Sequence, residues 1–120
     1  MNLVLQQAIF LRDVVALLQY ADGEGWTVTG GELWRPLEMQ KVYFERGMSK
    51  TMRSPHMERL AIDLNFFRGF TLVTDREKLK PLGQFWEGLS PENRWGGSWR
   101  GLVEAGKSKF IDCPHFERKV

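Results

Sequence analysis

Two histidines and two aspartates are the residues of this chain whose types and spacing could hold a metal ion. The only histidines are His56 and His115. Asp63 lies seven residues after His56, and Asp112 lies three residues before His115, with Pro114 between them restricting the backbone. A histidine and a carboxylate seven residues apart cannot share one helical face, but a turn that leads into a strand can bring them together.

Two imidazoles and one carboxylate leave the fourth position of a tetrahedral metal open for water, as a catalytic zinc ion requires. The single cysteine, Cys113, excludes an internal disulfide and any zinc site built from several cysteines. We therefore expect Zn2+ on nitrogen and oxygen ligands, His56, Asp63 and His115, with Asp112 as a spare carboxylate. The alternative is a pair of histidines with ordinary surface or core packing. Catalysis by Cys113 is disfavoured because both histidines are already assigned to the metal.

The segment over residues 60–73 is the clearest strand pattern and carries one of these ligands. Its side chains alternate between an apolar face and a small, polar face. The apolar face contains Leu60, Ile62, Leu64 and Phe66, and the polar face contains Ala61, Asp63 and Asn65. A polar face of this kind is typical of the floor of a site. Arg68 and Gly69 predict a turn that makes the segment a hairpin.

The chain before this strand predicts two helices and a further strand. Apolar residues at helical spacing predict a helix over about residues 3–20, ended by a turn at 21–25. Residues 26–34 are rich in β-branched and aromatic types and predict a strand or a bent hairpin. Pro36 can open a second helix that runs to about Arg46.

The chain after the strand predicts one more helix and a closing strand. A helix capped by Thr74 or Asp75 is expected to reach about Leu89, and a later start caused by Pro81 and Gly83 is the alternative. Residues 95–99, Trp-Gly-Gly-Ser-Trp, predict a tight turn, and residues 114–118 predict a short strand. Helices clustered with a small antiparallel sheet make the expected fold class α+β.

Length, composition and charge suit one small globular domain over residues 1–120. The 42% hydrophobic content predicts a packed core, in which we place Trp34 and Trp86. The net charge of +2 has no strong basic stripe, so we expect no nucleic-acid partner. No run approaches about 20 uninterrupted apolar residues, so we expect no membrane span. The apolar N-terminus lacks a basic leader, which predicts cytoplasmic synthesis without a signal peptide. We expect a monomer.

Four motifs, in order, resemble those of the M15 family of zinc peptidases. Residues 54–63, Ser-Pro-His-Met-Glu-Arg-Leu-Ala-Ile-Asp, resemble its Ser-x-His-(six residues)-Asp signature, and residues 112–117, Asp-Cys-Pro-His-Phe-Glu, resemble its closing acid-x-x-His motif. Residues 95–99 are similar to the turn before that motif in the phage endolysin and L-alanyl-D-glutamate peptidase branch. Residues 33–40 are similar to the aromatic-Arg-x-x-Glu-x-Gln element. The resemblance spans roughly residues 8–118.

The resemblance implies an M15/Hedgehog-like zinc peptidase domain that hydrolyses a stem-peptide bond of peptidoglycan. It favours an L-Ala–D-Glu endopeptidase, with a D-Ala–D-Ala carboxypeptidase as the nearest alternative. It also implies the three metal ligands named above, with Asp112 as general base. Arg35 would bind substrate and stabilise developing charge. Ser54 would either hold the site loop or contact the substrate, and Gln40 would support Arg35.

Two departures from the family pattern concern substrate detail rather than the metal. Many relatives have a glycine where this chain has Glu58-Arg59-Leu60, and Ser98 stands where relatives often have an acidic residue.

A rival of another class is a non-catalytic, zinc-stabilised wall-binding or virion structural domain, which would have no use for the spare Asp112. For the peptidase, the resemblance implies action on the cell wall after release through a holin pore.

Overall fold

A five-stranded antiparallel sheet organises the chain. The computed structural model describes residues 2–49, 54–99 and 111–120. Within these ranges the strands are β1 (Thr27–Gly30), β2 (Ala61–Arg68), β3 (Thr71–Leu72), β4 (Asn93–Trp95) and β5 (His115–Arg118). Their order is β1-β2-β5-β4, and β3 pairs with β2 as the predicted hairpin. The α+β fold class and the closing strand are therefore confirmed.

Three α-helices accompany the sheet in the described part of the chain. They are α1 (Leu3–Gly23), α2 (Leu37–Glu45) and α3 (Arg76–Leu89). Short 3-10 helices cover Pro55–Glu58 and Gly96–Trp99, the second of them at the predicted turn. Helix α1 packs on α3 and β1, whereas α3 packs on β4, so these two helices and the sheet enclose the core.

Helix α1 begins where Asn2 caps it and buries one face. The Asn2 side chain accepts a hydrogen bond from the backbone N–H of Val4 at 2.8 Å. Phe10, Val14 and Leu17 recur at helical spacing and are almost fully buried. By length and composition alone α1 could also cross a membrane. That is a weak indication, because a core helix near the N-terminus passes the same test.

The bounds of α3 confirm the predicted cap and end. The helix begins at Arg76, directly after Asp75, and the alternative of a start delayed by Pro81 and Gly83 is wrong because both residues lie inside the helix. Asp75 caps its first turn, and burial of its apolar face outweighs the one backbone hydrogen bond that an internal proline removes. Gly83 has a packing role instead, because a side chain there would collide with the Trp95 ring.

The apolar face of β2 faces the core, as predicted. Leu64 and Phe66 are each 2% exposed, and Trp86 is completely buried. The prediction that Trp34 is also a core residue is wrong, because its side chain is 52% exposed. Its neighbour Leu33 packs against the core, and in an extended segment the next side chain points the opposite way.

Candidate metal and catalytic site

Two of the predicted ligands lie opposite each other on neighbouring strands. Asp63 of β2 and His115 of β5 are direct cross-strand partners, so their side chains point to the same face of the sheet. The His115 side chain is buried and that of Asp63 is partly buried. Nδ1 of His115 lies 3.6 Å from Oδ1 of Asp63. Strand pairing therefore brings together two residues that are far apart in sequence.

The third predicted ligand, His56, comes from the 3-10 helix directly before β2. The Ser54 hydroxyl accepts a hydrogen bond from the His56 backbone N–H at 3.3 Å and caps this helix. The His56 imidazole is buried, with Nε2 at 3.3 Å from Oδ1 of Asp63. One ligand atom from each of His56, Asp63 and His115 lies within 4.8 Å of the others. The structure thus places the three predicted ligands in one cluster.

Each histidine is oriented by an acceptor on its far side. Nδ1 of His56 lies 3.2 Å from the Leu33 carbonyl oxygen, and Nε2 of His115 lies 2.8 Å from Oε1 of Glu117. Because a carbonyl and a carboxylate accept hydrogen bonds, each ring donates from that nitrogen. The other nitrogen of each ring faces Asp63. This arrangement is typical of metal-ligating histidines, whose second nitrogen is held by a carbonyl or a carboxylate.

The geometry around Oδ1 of Asp63 fits a metal ion. This atom is buried, and no residue that the structure describes makes a hydrogen bond to it. Its distances of 3.3 and 3.6 Å to the two imidazole nitrogens are long for hydrogen bonds. They match the edges of a tetrahedron, which are about 3.3 Å when zinc–ligand distances are about 2.0 Å. The cluster could therefore hold a metal ion.

The charges of the cluster shift two pKa values. Burial by itself would raise the pKa of Asp63, but His115 and His56 outweigh burial and hold that pKa well below its usual range. Burial would lower the pKa of His115, but Asp63 and Glu117 raise it to about 9. Near neutral pH the metal-free cluster therefore contains a protonated His115, and a bound metal must displace that proton.

Asp112 lies beside the cluster at the turn before β5. Its backbone N–H donates to the Gly96 carbonyl at 3.2 Å, and its carbonyl accepts from the His115 N–H at 3.0 Å. A side chain at Gly96 would collide with the Asp112 backbone, which explains why the turn requires glycine there. Burial raises the pKa of Asp112, and the charges of His115, Asp63 and His56 act on it. The turn therefore places Asp112 directly before the strand that carries His115.

Arg35 lies next to the site and is held by several partners. Its guanidinium pairs with Glu32 through Nε and Nη2, and its Nη1 donates to Oε1 of Gln40 at 2.8 Å. Its guanidinium carbon lies 4.6 Å from the centre of the Tyr43 ring. Gln40 is completely buried and also donates to the Ser49 hydroxyl at 2.9 Å. The expectation that Gln40 supports Arg35 is therefore confirmed.

Residues 31–35 connect Arg35 to the metal cluster. β1 ends at Gly30, so residues 26–34 form one short strand followed by an extended strap rather than a hairpin. Within the strap, the Gly31 N–H donates to the Asp63 carbonyl at 2.7 Å, and the Glu32 carbonyl accepts from the Asp63 N–H at 2.9 Å. The Arg35 N–H donates to the His56 carbonyl at 3.1 Å. The strap therefore fixes the backbone beside two of the ligands.

Three contributors to the site were missed from the sequence. Glu117 follows His115 by two residues, so strand periodicity places both on one face and could have indicated the pair. Glu32 precedes Arg35 by three residues, a weaker signal. The carbonyl of Leu33 gave no sequence signal, because backbone acceptors depend on the fold. Lys50 and Arg53, two basic residues that precede His56 in the sequence, lie outside the described residues.

Comparisons with known proteins support the fold. No protein-family model matches the sequence, and no curated protein does so either. A solved structure that is similar to this chain is the L-Ala D-Glu endopeptidase ChiX of Serratia marcescens. The TM-score is 0.71, the sequence identity is 21%, and the match covers 92% of this chain and 77% of that chain. At this identity the match shows a shared fold.

Proposed function

We propose that this chain is a zinc-dependent peptidoglycan peptidase that hydrolyses the L-alanyl–D-glutamyl bond of the stem peptide. The observation that carries the proposal is the buried Oδ1 of Asp63, which accepts no hydrogen bond from the described residues and lies between two pre-oriented histidines, His56 and His115. The fold shared with an L-Ala D-Glu endopeptidase supports the substrate class. The match of the motifs to the M15 pattern supports zinc as the metal.

Zinc held by these ligands would polarise the scissile carbonyl and lower the pKa of a water molecule to near 7. Asp112 is the group of this chain that would move protons. Its raised pKa and its position beside the cluster suit a general base that takes a proton from water and returns it to the leaving amine. Backbone hydrogen bonds to Gly96 and His115 fix the position of Asp112 in the chain next to the ligand His115.

Arg35 would stabilise negative charge that develops on the former carbonyl oxygen. Glu32 and Gln40 hold the guanidinium in one orientation, and the strap positions it through the His56 carbonyl. Ser54 is buried and caps the helix that carries His56, which favours its structural role over substrate contact. In this proposal Ser54 holds the helix that positions His56 and does not itself contact the substrate.

Digestion of purified peptidoglycan tests the proposed function. The zinc-loaded protein is incubated with peptidoglycan with and without a chelator, and the released peptides are identified by mass spectrometry. We expect new D-glutamyl N-termini that the chelator abolishes. Loss of terminal D-alanine would instead establish the carboxypeptidase. The absence of any new terminus, despite bound zinc, would favour the non-catalytic wall-binding or structural domain. Action on the wall after holin-mediated release is part of the same proposal.

A further inference from the structure

Arg59 has a backbone conformation that favours glycine. Its φ is 57°, and among the described residues other than glycine it alone has a positive φ. It ends the 3-10 helix that carries His56, and its backbone N–H donates to the His56 carbonyl at 3.3 Å. A large side chain in this left-handed region is unusual, and such residues concentrate at functional sites. The unfavourable backbone conformation therefore indicates that the side chain of Arg59 has a function.

The guanidinium of Arg59 lies over an exposed indole at the edge of the site. Its carbon is 5.1 Å from the centre of the Trp34 ring, and half of the Trp34 surface is open to solvent. Trp34 stands between Leu33 and Arg35, whose backbone atoms both bond to His56. An exposed aromatic ring on such a fixed backbone is a stable base for the guanidinium.

The charge of Arg59 is available, unlike that of two other arginines. No carboxylate in the described part of the chain forms an ion pair with Arg59, and its side chain is exposed. Arg35 is held by Glu32 and Gln40 and is already assigned to the charge that develops on the scissile carbonyl. Arg68 also lies over an indole, 3.7 Å from the centre of the Trp26 ring, but it donates a hydrogen bond to a backbone carbonyl at 2.8 Å, and that indole is buried.

We propose that Arg59, held by Trp34, binds a carboxylate of the stem peptide next to the scissile bond. The proposal rests on the proposed function. In an L-Ala–γ-D-Glu stem the α-carboxylate of D-glutamate is free and adjacent to the bond that is cut. Asp63 in the metal cluster, Asp112 beside it and Glu117 behind His115 all carry carboxyl groups, whose negative charge opposes binding of that anion. An exposed cation beside His56 offsets this repulsion and can bind the carboxylate through two parallel N–H donors.

Calorimetric titration of the zinc-loaded protein with two synthetic stem peptides tests this subsite. Both peptides carry a non-hydrolysable ketomethylene group in place of the scissile amide. One has a free glutamyl α-carboxylate and the other a carboxamide. We expect the wild type to bind the acid about fivefold to tenfold more tightly than the amide. Arg59→Gln should bind both peptides with the affinity that the wild type has for the amide. The matched control Arg68→Gln should keep the preference.

Two further variants separate binding from folding. Arg59→Gly relieves the unfavourable φ, so its Tm should equal or exceed that of the wild type while the acid preference disappears. Trp34→Phe should keep most of the preference and Trp34→Ala should lose it. The proposal is overturned if the wild type binds neither peptide, binds both equally, or keeps its preference after Arg59→Gln. Peptidoglycan cleavage without an acid preference would refute only this subsite, whereas a preference without cleavage would refute only the peptidase.

Discussion

The two polar clusters of this protein are held in different ways. The metal cluster of His56, Asp63 and His115 rests on the pairing of β2 with β5 and leaves one buried carboxylate oxygen without a hydrogen bond in the described part of the chain. The cluster around Arg35 rests on helix α2, in which Gln40 is the only buried residue, and its guanidinium is satisfied by internal partners. The first cluster is therefore built to take up a ligand, whereas the second holds one charged side chain in a fixed orientation beside it.

The largest effect is expected at the metal cluster itself. His115→Ala removes one of three ligands and should weaken zinc binding by more than the roughly 10–100-fold that loss of an outer-shell partner causes. Some stability should be lost with the metal, because binding and folding are coupled. Zinc titration against a competing chelator measures the change. Full zinc occupancy in this variant would refute the ligand assignment.

Asp112→Asn should separate metal binding from catalysis. We expect hydrolysis of peptidoglycan to fall by about 10²–10⁴-fold, because the amide cannot take the proton from water. Zinc affinity should stay close to that of the wild type. The initial rate of release of new termini and a parallel zinc titration give both numbers. Unchanged hydrolysis would remove Asp112 from the mechanism.

Glu117 lies outside the metal cluster but orients one of its ligands, His115. Its replacement therefore tests how strongly the metal cluster depends on residues that do not bind the metal. Glu117→Ala should weaken zinc binding by about 10–100-fold through loss of the His115 orientation. Glu77→Gln, at an exposed carboxylate on α3, is the matched control and should change nothing. Equal zinc affinity in all three proteins would show that the contact between Glu117 and His115 does not orient the ring.

The metal-free protein should lose stability as pH rises. The pKa of His115 is about 9 in the folded chain, compared with 6.5 for an unperturbed imidazole. This residue therefore stabilises the fold fully below about pH 6.5, and its contribution disappears as pH rises through 9, for a loss of about 3 kcal/mol. Urea unfolding between pH 6.5 and 9.5 measures the trend. The metal-free His115→Ala variant should be flat over that interval, and a flat wild-type curve would contradict the account.

The smallest effect is expected in the cluster around Arg35. Glu32→Gln keeps the shape of the side chain but removes the charge, and a partly exposed ion pair contributes about 1 kcal/mol or less. We expect zinc affinity to be unchanged and kcat to change by less than about tenfold. Steady-state kinetics on a soluble stem peptide measure this. A large loss of zinc affinity would show that the two clusters are coupled through the strap.

The parts of the site that could be predicted from sequence share one property, which is a strong local pattern. The alternation of apolar and polar side chains along β2 predicts Asp63 on a polar face. The short motif that ends in His115 leads into β5, which pairs with β2. Hydrogen-bond partners that are distant in sequence, such as the Leu33 carbonyl oxygen that holds His56, leave no such local pattern. Trp34 was assigned to the core from its residue type alone, and the strap exposes it.

Helix α3 shows the same limit in the fold. Because Pro81 and Gly83 disfavour helix by their intrinsic preferences, the sequence left open whether the helix starts at Asp75 or later, and tertiary packing decides for the early start. Trp95 needs the space above Gly83, and this contact joins α3 to the sheet. The need for glycine at position 83 can therefore be understood only once the contact with Trp95 is known.

X-ray absorption spectroscopy of the zinc-loaded protein tests the central claim most directly. We predict one zinc ion per chain with two imidazole nitrogens and oxygen ligands at about 2.0–2.1 Å. The signal should disappear in a variant that lacks His56, Asp63 and His115. A sulfur ligand at about 2.3 Å, which only Cys113 or a methionine could supply, or no stoichiometric zinc at all, would contradict the account.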